Sequence, residues 1–132
     1  MASALCDMRI VVIEDVWIVA QSYVAMLDNL RVIVAGPAGT VADALKLVDV
    51  GPIDAALVDM NLHGEMAHGV VEQLNARGVP VVIVTGYDLE PEFESKVTAV
   101  LKKPIRVEAL IKVFREIAAA TKANRKPDAA AV

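Results

Sequence analysis

The chain has 132 residues, enough for one domain that buries roughly 68% of its unfolded surface without metal or disulfide staples. Hydrophobic residues make up 56% and aromatic residues only 4%, so the core has to be aliphatic, and a charged fraction of 23% excludes bulk disorder. With 13 basic and 17 acidic residues the net charge is -4, which argues against a sequence-independent grip on nucleic acid or anionic lipid.

The N-terminal residues carry no basic segment ahead of a long apolar run, and no apolar stretch approaches the ~20 residues that span a bilayer. The single cysteine, Cys6, has no intramolecular partner, as a reducing cytosol would require. The expectation is a cytoplasmic chain with no membrane insertion. Residues 9–13 (RIVVI) are the first of five short runs that read as strands; 31–35 (RVIVA), 55–58 (AALV), 81–84 (VVIV) and 98–101 (TAVL) follow. Most are apolar continuously, which suits strands covered on both faces, and the less pure runs at 31–35 and 98–101 suit the edges.

Helical patterns fill the intervals. Residues 15–30 place Val16, Val19, Tyr23, Met26, Leu27 and Leu30 at three- and four-residue steps, with Trp17 off that stripe and half exposed. Thr40 caps a helix over 41–50 that Gly51-Pro52 stops. A third helix is expected over 65–76, ended by Arg77-Gly78, and a short, weakly patterned one over 91–96. Residues 106–120 put Val107, Leu110, Ile111, Phe114 and Ile117 on one side, expected to face the core. The domain is expected over 1–121, with a flexible tail over 122–132 that mixes Lys, Asn, Arg, Pro, Asp and Ala.

A strand followed by a helix, five times over, is the pattern of an α/β doubly wound fold with helices on both faces of a parallel sheet. Ligands of such sheets sit beyond the carboxyl ends of the strands. The first strand ends at Glu14-Asp15, the third at Asp59, the fourth at Thr85-Gly86 and the fifth at Lys102-Lys103-Pro104. Three carboxylates, a hydroxyl and one or two amines would then share one rim. Clustered carboxylates repel unless a cation or proton intervenes, and hard oxygen donors suit Mg²⁺. An ammonium and a hydroxyl opposite would suit phosphoryl oxygens, and a carboxylate can itself be the nucleophile. Asp59, single, central and followed by a loop, is the better nucleophile; the paired acids look like the metal clamp, although acids also favour a plain helix start. His63 and His68 have no cysteine or further histidine nearby and read as solvated loop side chains.

At these residues the sequence resembles the receiver domain of two-component response regulators. The resemblance runs from about residue 9 to 120 and rests on Ile13-Glu14-Asp15, Leu57-Val58-Asp59-Met60-Asn61-Leu62, Val84-Thr85-Gly86-Tyr87 and Lys103-Pro104, four motifs in order. It implies a flavodoxin-like (βα)5 fold with a five-stranded parallel sheet in the order 2-1-3-4-5. It implies that Asp59 is the phosphoacceptor and that Mg²⁺ is held by Asp15, by Glu14 mostly through water, by Asp59 and by the backbone carbonyl of Asn61. Thr85 would bond the phosphoryl oxygen, Lys103 would pair first with Asp59 and then with phosphate, and Pro104 would follow a cis peptide.

The implied donor is a histidine kinase or a histidine phosphotransfer protein. The implied output is contact with a downstream protein or a homodimer through the fourth helix, fifth strand and fifth helix, without enzymatic turnover and without direct nucleic-acid binding. Two departures stand out. Val100 occupies a position where the family often has Tyr or Phe, so Tyr87 becomes the candidate switch residue. The loop 62–69 lacks the common Met-Pro pair and, with Thr-Gly-Tyr, is similar to stand-alone receivers found beside a distinct histidine-kinase class in α-proteobacteria. The alternatives are a Mg²⁺-dependent aspartyl-phosphate phosphatase and a flavodoxin-like cofactor binder. The first needs Asp-x-Asp after the first strand and a cap; the second needs a phosphate-cradling loop where Glu14-Asp15 stands.

Overall fold

A computed structural model describes residues 5–124, with side chains through Thr121; most of the tail expected over 122–132 lies outside the described residues. Five parallel strands form the main sheet: β1 (Arg9–Ile13), β2 (Ile33–Ala38), β3 (Ala55–Asp59), β6 (Val81–Thr85) and β7 (Ala99–Lys102). Between β3 and β6 lies an antiparallel hairpin of two-residue strands, β4 (Asn61–Leu62) and β5 (Glu65–Met66). The helices are α1 (Trp17–Asn29), α2 (Val41–Val48), α3 (His68–Ala76), α4 (Pro91–Glu94) and α5 (Val107–Asn124). The sheet order is β2-β1-β3-β6-β7, which is the expected 2-1-3-4-5 once the hairpin strands are set aside.

Continuous apolar strands follow from two core layers. Val11, Ile13, Ala56, Val58 and Ile83 face Ala44 and Val48 of α2 and Val70, Val71 and Leu74 of α3. Their neighbours in the strands, Ile10, Val12, Leu57, Val82 and Val84, face Tyr23 and Leu27 of α1 and Leu110, Phe114 and Ile117 of α5. Each buried Leu, Ile or Phe stabilises the fold by roughly 1.5–3 kcal/mol, which holds the central strands rigidly in register. Every residue of β3 and β6 is buried, so the ends of these two strands are fixed points.

Several boundaries differ from the sequence reading, each for a physical reason. β2 starts at Ile33, not residue 31, because Arg31 takes φ +63° and turns the chain; Ile33 N–H then donates to Met8 at 2.8 Å. The strand continues to Ala38, whose carbonyl accepts from Glu14 N–H at 2.9 Å, so Gly36 and a cis-linked Pro37 lie inside it. Gly36 is required there: at φ +101°, an added Cβ would stand 2.9 Å from the Val12 carbonyl. The helix expected from 65 begins at His68, since Glu65-Met66 pairs back onto Asn61-Leu62. The first helix begins at Trp17, and Val16, Trp17 and Ile18 are all exposed, Trp17 at 72% instead of half. Val107, on the first turn of α5, is exposed and Ile111 is only half-buried, so neither belongs to the core, whereas Leu110, Phe114 and Ile117 do pack inward. Thr40 caps α2 as expected, accepting from Asp43 N–H at 3.1 Å, though the helix ends at Val48. α4 keeps only four residues, and α5 runs past 120 to Asn124.

Candidate functional site

The carboxyl ends of β1, β3 and β6 and the loop after β7 converge on one cleft of about 440 Å³, lined by Asp15, Asp59, Asn61, Thr85, Tyr87 and Lys103 among others. β1 delivers Glu14, which is 2% exposed; its Oε2 accepts from Val16 N–H at 3.1 Å. Its other oxygen, Oε1, is buried with no hydrogen-bond partner. Asp15 accepts the His63 N–H at 2.9 Å on Oδ2, with His63 Nδ1 3.4 Å from the same oxygen. β3 ends on Asp59, 5% exposed, whose Oδ1 accepts from Asn61 N–H at 3.1 Å. Carboxylate oxygens of Glu14, Asp15 and Asp59 all lie within 4.8 Å of one another.

Opposite these acids, Lys103 Nζ donates to Asp59 Oδ2 at 3.2 Å. Its position is fixed by Lys103 N–H donating to the Thr85 carbonyl at 2.8 Å, and the Lys103–Pro104 peptide is cis, as expected. Lys102 points elsewhere, to Asp88 at 2.6 Å, as strand alternation requires. Thr85 is 1% exposed, and its Oγ1 lies 3.2 Å from both the amide and the carbonyl of Tyr87. Tyr87, half exposed, donates its hydroxyl to Met66 Sδ at 3.4 Å. Val100 is half-buried on β7, packed against the layer beneath α2 and α3, and Pro104 is exposed beside the cleft.

The electrostatics reflect three acids against one ammonium. Burial pushes the Glu14 carboxyl up to about 7, reinforced by the Asp59 charge and opposed by the Val16 amide and Lys103. Burial also raises Asp15, but the His63 amide and the Glu14 side chain outweigh it and hold the carboxyl below its ordinary value. The field reaches Tyr23, whose phenol burial and the Glu14 and Asp59 charges push up to about 12. A buried, unpartnered carboxylate oxygen is costly unless a cation or proton meets it. The all-oxygen donor set around Glu14 Oε1 therefore fits a hard divalent ion such as Mg²⁺.

Glu14, Asp15, Asp59, Asn61, Thr85, Tyr87 and Lys103 meet at this rim, whereas Val100 packs into the core layer and does not line it; His63 and Gly64, which do line it, were read from the sequence only as loop residues. His63 and Gly64 take φ +55° and +86° at the tip of the β4–β5 hairpin, the backbone of a two-residue hairpin turn. The His-Gly pair was the available signal.

A family model described as response regulator receiver domain matches residues 10–115. The solution structure of SdrG from Sphingomonas melonis is 34% identical, with a TM-score of 0.73 over 87% of this chain and 98% of that one. A CheY-like response regulator receiver domain from Methylobacillus flagellatus is 25% identical, with a TM-score of 0.75 over 84% and 98%. The receiver domain of a sensor histidine kinase from Pseudomonas aeruginosa, with a magnesium ion coordinated in its active site cleft, is similar in fold at 20% identity. Its TM-score is 0.74 over 86% of this chain and 99% of that one. No curated protein sequence matches.

Proposed function

Because the chain belongs to the response regulator receiver domain family of two-component signalling, we propose that Asp59 accepts a phosphoryl group in a Mg²⁺-dependent transfer from a histidine kinase or histidine phosphotransfer protein. One observation carries this reading: Lys103 Nζ stands 3.2 Å from Asp59 Oδ2 while Glu14 and Asp15 close on the same carboxylate within 4.8 Å. A nucleophilic carboxylate flanked by an ammonium on one side and a clamp of two acids on the other suits attack on phosphorus.

In the proposed reaction a carboxylate oxygen of Asp59 forms the P–O bond as the donor's P–N bond breaks, and that electron pair returns to the donor imidazole. Asn61 N–H and Lys103 Nζ hold the two oxygens of Asp59 from opposite sides and so fix the plane of the nucleophile. Glu14, Asp15, Asp59 and the Asn61 carbonyl would hold Mg²⁺, which neutralises charge on the incoming phosphoryl oxygens. Thr85 Oγ1 exchanges its contacts with Tyr87 for a phosphoryl oxygen, and Lys103 re-pairs with the phosphate.

The chain itself turns over nothing beyond its own phosphorylation and dephosphorylation. Its output is a changed surface on α4, β7 and α5, with Tyr87 at the edge, read by a downstream protein or by a second copy. Val100 has no ring to report the change, whereas the Tyr87 backbone is hydrogen-bonded to Thr85 Oγ1 and its ring follows that backbone. The test is incubation with Mg²⁺ and acetyl phosphate followed by intact mass analysis. One labile phosphoryl group is expected, absent without Mg²⁺ and absent in Asp59→Asn; labelling that persists in Asp59→Asn refutes the assignment.

A further inference from the structure

Among the described residues, His63 carries the one imidazole that lines the acidic cleft; His68 instead sets its ring 4.6 Å from Phe93. His63 is placed there by structure on both sides. The β4–β5 pairing and the two left-handed residues of the turn fix the hairpin, and the His63 amide is tied to Asp15 at 2.9 Å. The side chain itself is 70% exposed, with Nδ1 3.4 Å from Asp15 Oδ2. Two donors in cis positions on an octahedral ion with bonds of about 2.1 Å stand about 3.0 Å apart, and donors in trans about 4.2 Å. The observed spacing lies close to the cis value for His63 and Asp15. As the ring stands, its nitrogens lie outside the 4.8 Å cluster of the three acids, and turning about its exposed side-chain bonds is what would bring the imidazole to an ion held there. An independent sign that the cluster suits a cation is Glu14 Oε1, buried there without a hydrogen-bond partner.

We propose that His63 is a nitrogen ligand of this site, so that the cleft binds Ni²⁺, Cu²⁺ or Zn²⁺ more tightly than a clamp of oxygens alone, while Mg²⁺ gains nothing from it. The inference rests on the reading of Glu14, Asp15 and Asp59 as a metal clamp. Its chemistry is ligand softness: imidazole suits the later divalent ions, whereas carboxylate, carbonyl and water suit Mg²⁺. The site would then respond to which divalent ion is at hand, and not only to phosphate.

The experiment uses the untagged full chain, stripped of metal, beside His63→Asn. Asparagine tolerates the left-handed backbone of residue 63 and offers no imidazole. Titration calorimetry with Ni²⁺ and Mg²⁺ gives the affinities, and pulsed electron paramagnetic resonance of the Cu²⁺ form detects nitrogen bound to the ion. Expected are an imidazole nitrogen coupling that His63→Asn abolishes, a fall in Ni²⁺ affinity of ~10-fold, and Mg²⁺ affinity unchanged within about twofold. Mg²⁺ binding with no nitrogen coupling to Cu²⁺, coupling that survives in His63→Asn, or parallel losses for Ni²⁺ and Mg²⁺ would each overturn the role of His63 and leave the clamp standing. Failure of every ion to bind would overturn both.

Discussion

Glu14→Gln should stabilise the metal-free protein at alkaline pH and lose that advantage in acid. Glu14 is 2% exposed and its carboxyl is pushed up from 4.5 to about 7. A group whose folded pKa is raised contributes stability that is fully present below the unfolded value and lost as pH rises through the folded one. The window therefore runs from about pH 4.5 to about pH 7, and the span amounts to roughly 3 kcal/mol at 1.36 kcal/mol per pKa unit. Glutamine keeps the shape and still accepts from Val16 N–H, and the stronger bond to the charged form is already contained in the shift, which the Val16 amide opposes. Near pH 8 in EDTA the variant should be more stable by about 3 kcal/mol. For a chain of 132 residues, that corresponds to a Tm about 10 °C higher.

The assay is thermal unfolding of both proteins in EDTA from about pH 5 to about pH 8.5, then with excess Mg²⁺. The gap should open as pH rises and shrink in Mg²⁺, since the ion meets the charge that the wild type otherwise bears alone. A gap that stays constant across this range would mean that Glu14 titrates alike in the folded and unfolded chains, and the account of the site's electrostatics would fail.

The other predictions concern the neighbouring groups. Asp59→Asn should raise the metal-free denaturation midpoint by removing one of three mutually repelling charges; an unchanged or lower midpoint in EDTA would contradict it. Mg²⁺ at about 100 times its dissociation constant should stabilise the wild type by about 2.7 kcal/mol, and Asp15→Asn should raise that constant; identical urea curves with and without Mg²⁺ would show that the acids hold no ion. A beryllofluoride phosphate mimic should change amide exchange at Thr85, Tyr87, α4, β7 and the facing side of α5, where α4 is short and has no buried residue to hold it closed. Changes confined to α2 and α3 would place the output on the opposite face.

What the sequence disclosed and what it withheld divide along physical lines. Strand runs such as 55–58 and 81–84 were legible because burial on both faces demands unbroken apolar stretches, and all of β3 and β6 is indeed buried. The rim followed from them, because a polar residue directly after such a run can only stand at the sheet's carboxyl edge. The β4–β5 hairpin was not legible: its strands are two residues long and are held from outside, by Ala67 N–H on the Met60 carbonyl at 2.9 Å and His63 on Asp15. Glu65-Met66 has ordinary helix propensity, and tertiary contacts override it. β2 was displaced for the same reason, since Arg31 and Gly36 take left-handed backbone that no apolar pattern encodes. Val107 misled in the other direction, as a residue in phase with the core stripe can still stand exposed on a helix's first turn.

Pro37 and the left-handed Gly36 also bear on how copies of this chain can meet. The outermost strands of the sheet are β2 and β7, and an outer strand ordinarily offers a row of unpaired amides and carbonyls to any extended peptide. On β2 that row is broken, because Pro37 has no N–H to give and Gly36 interrupts the extended backbone beside it. On β7 the row is four residues long and runs out into Lys102-Lys103-Pro104, two cations and a second residue without a donor. Both borders are therefore poor templates for another strand, which sets the sheet against growing beyond five. Such edges favour self-association by side chains meeting across a surface such as that of α4, β7 and α5, which a change in local charge can reverse, over growth of the sheet, which it could not.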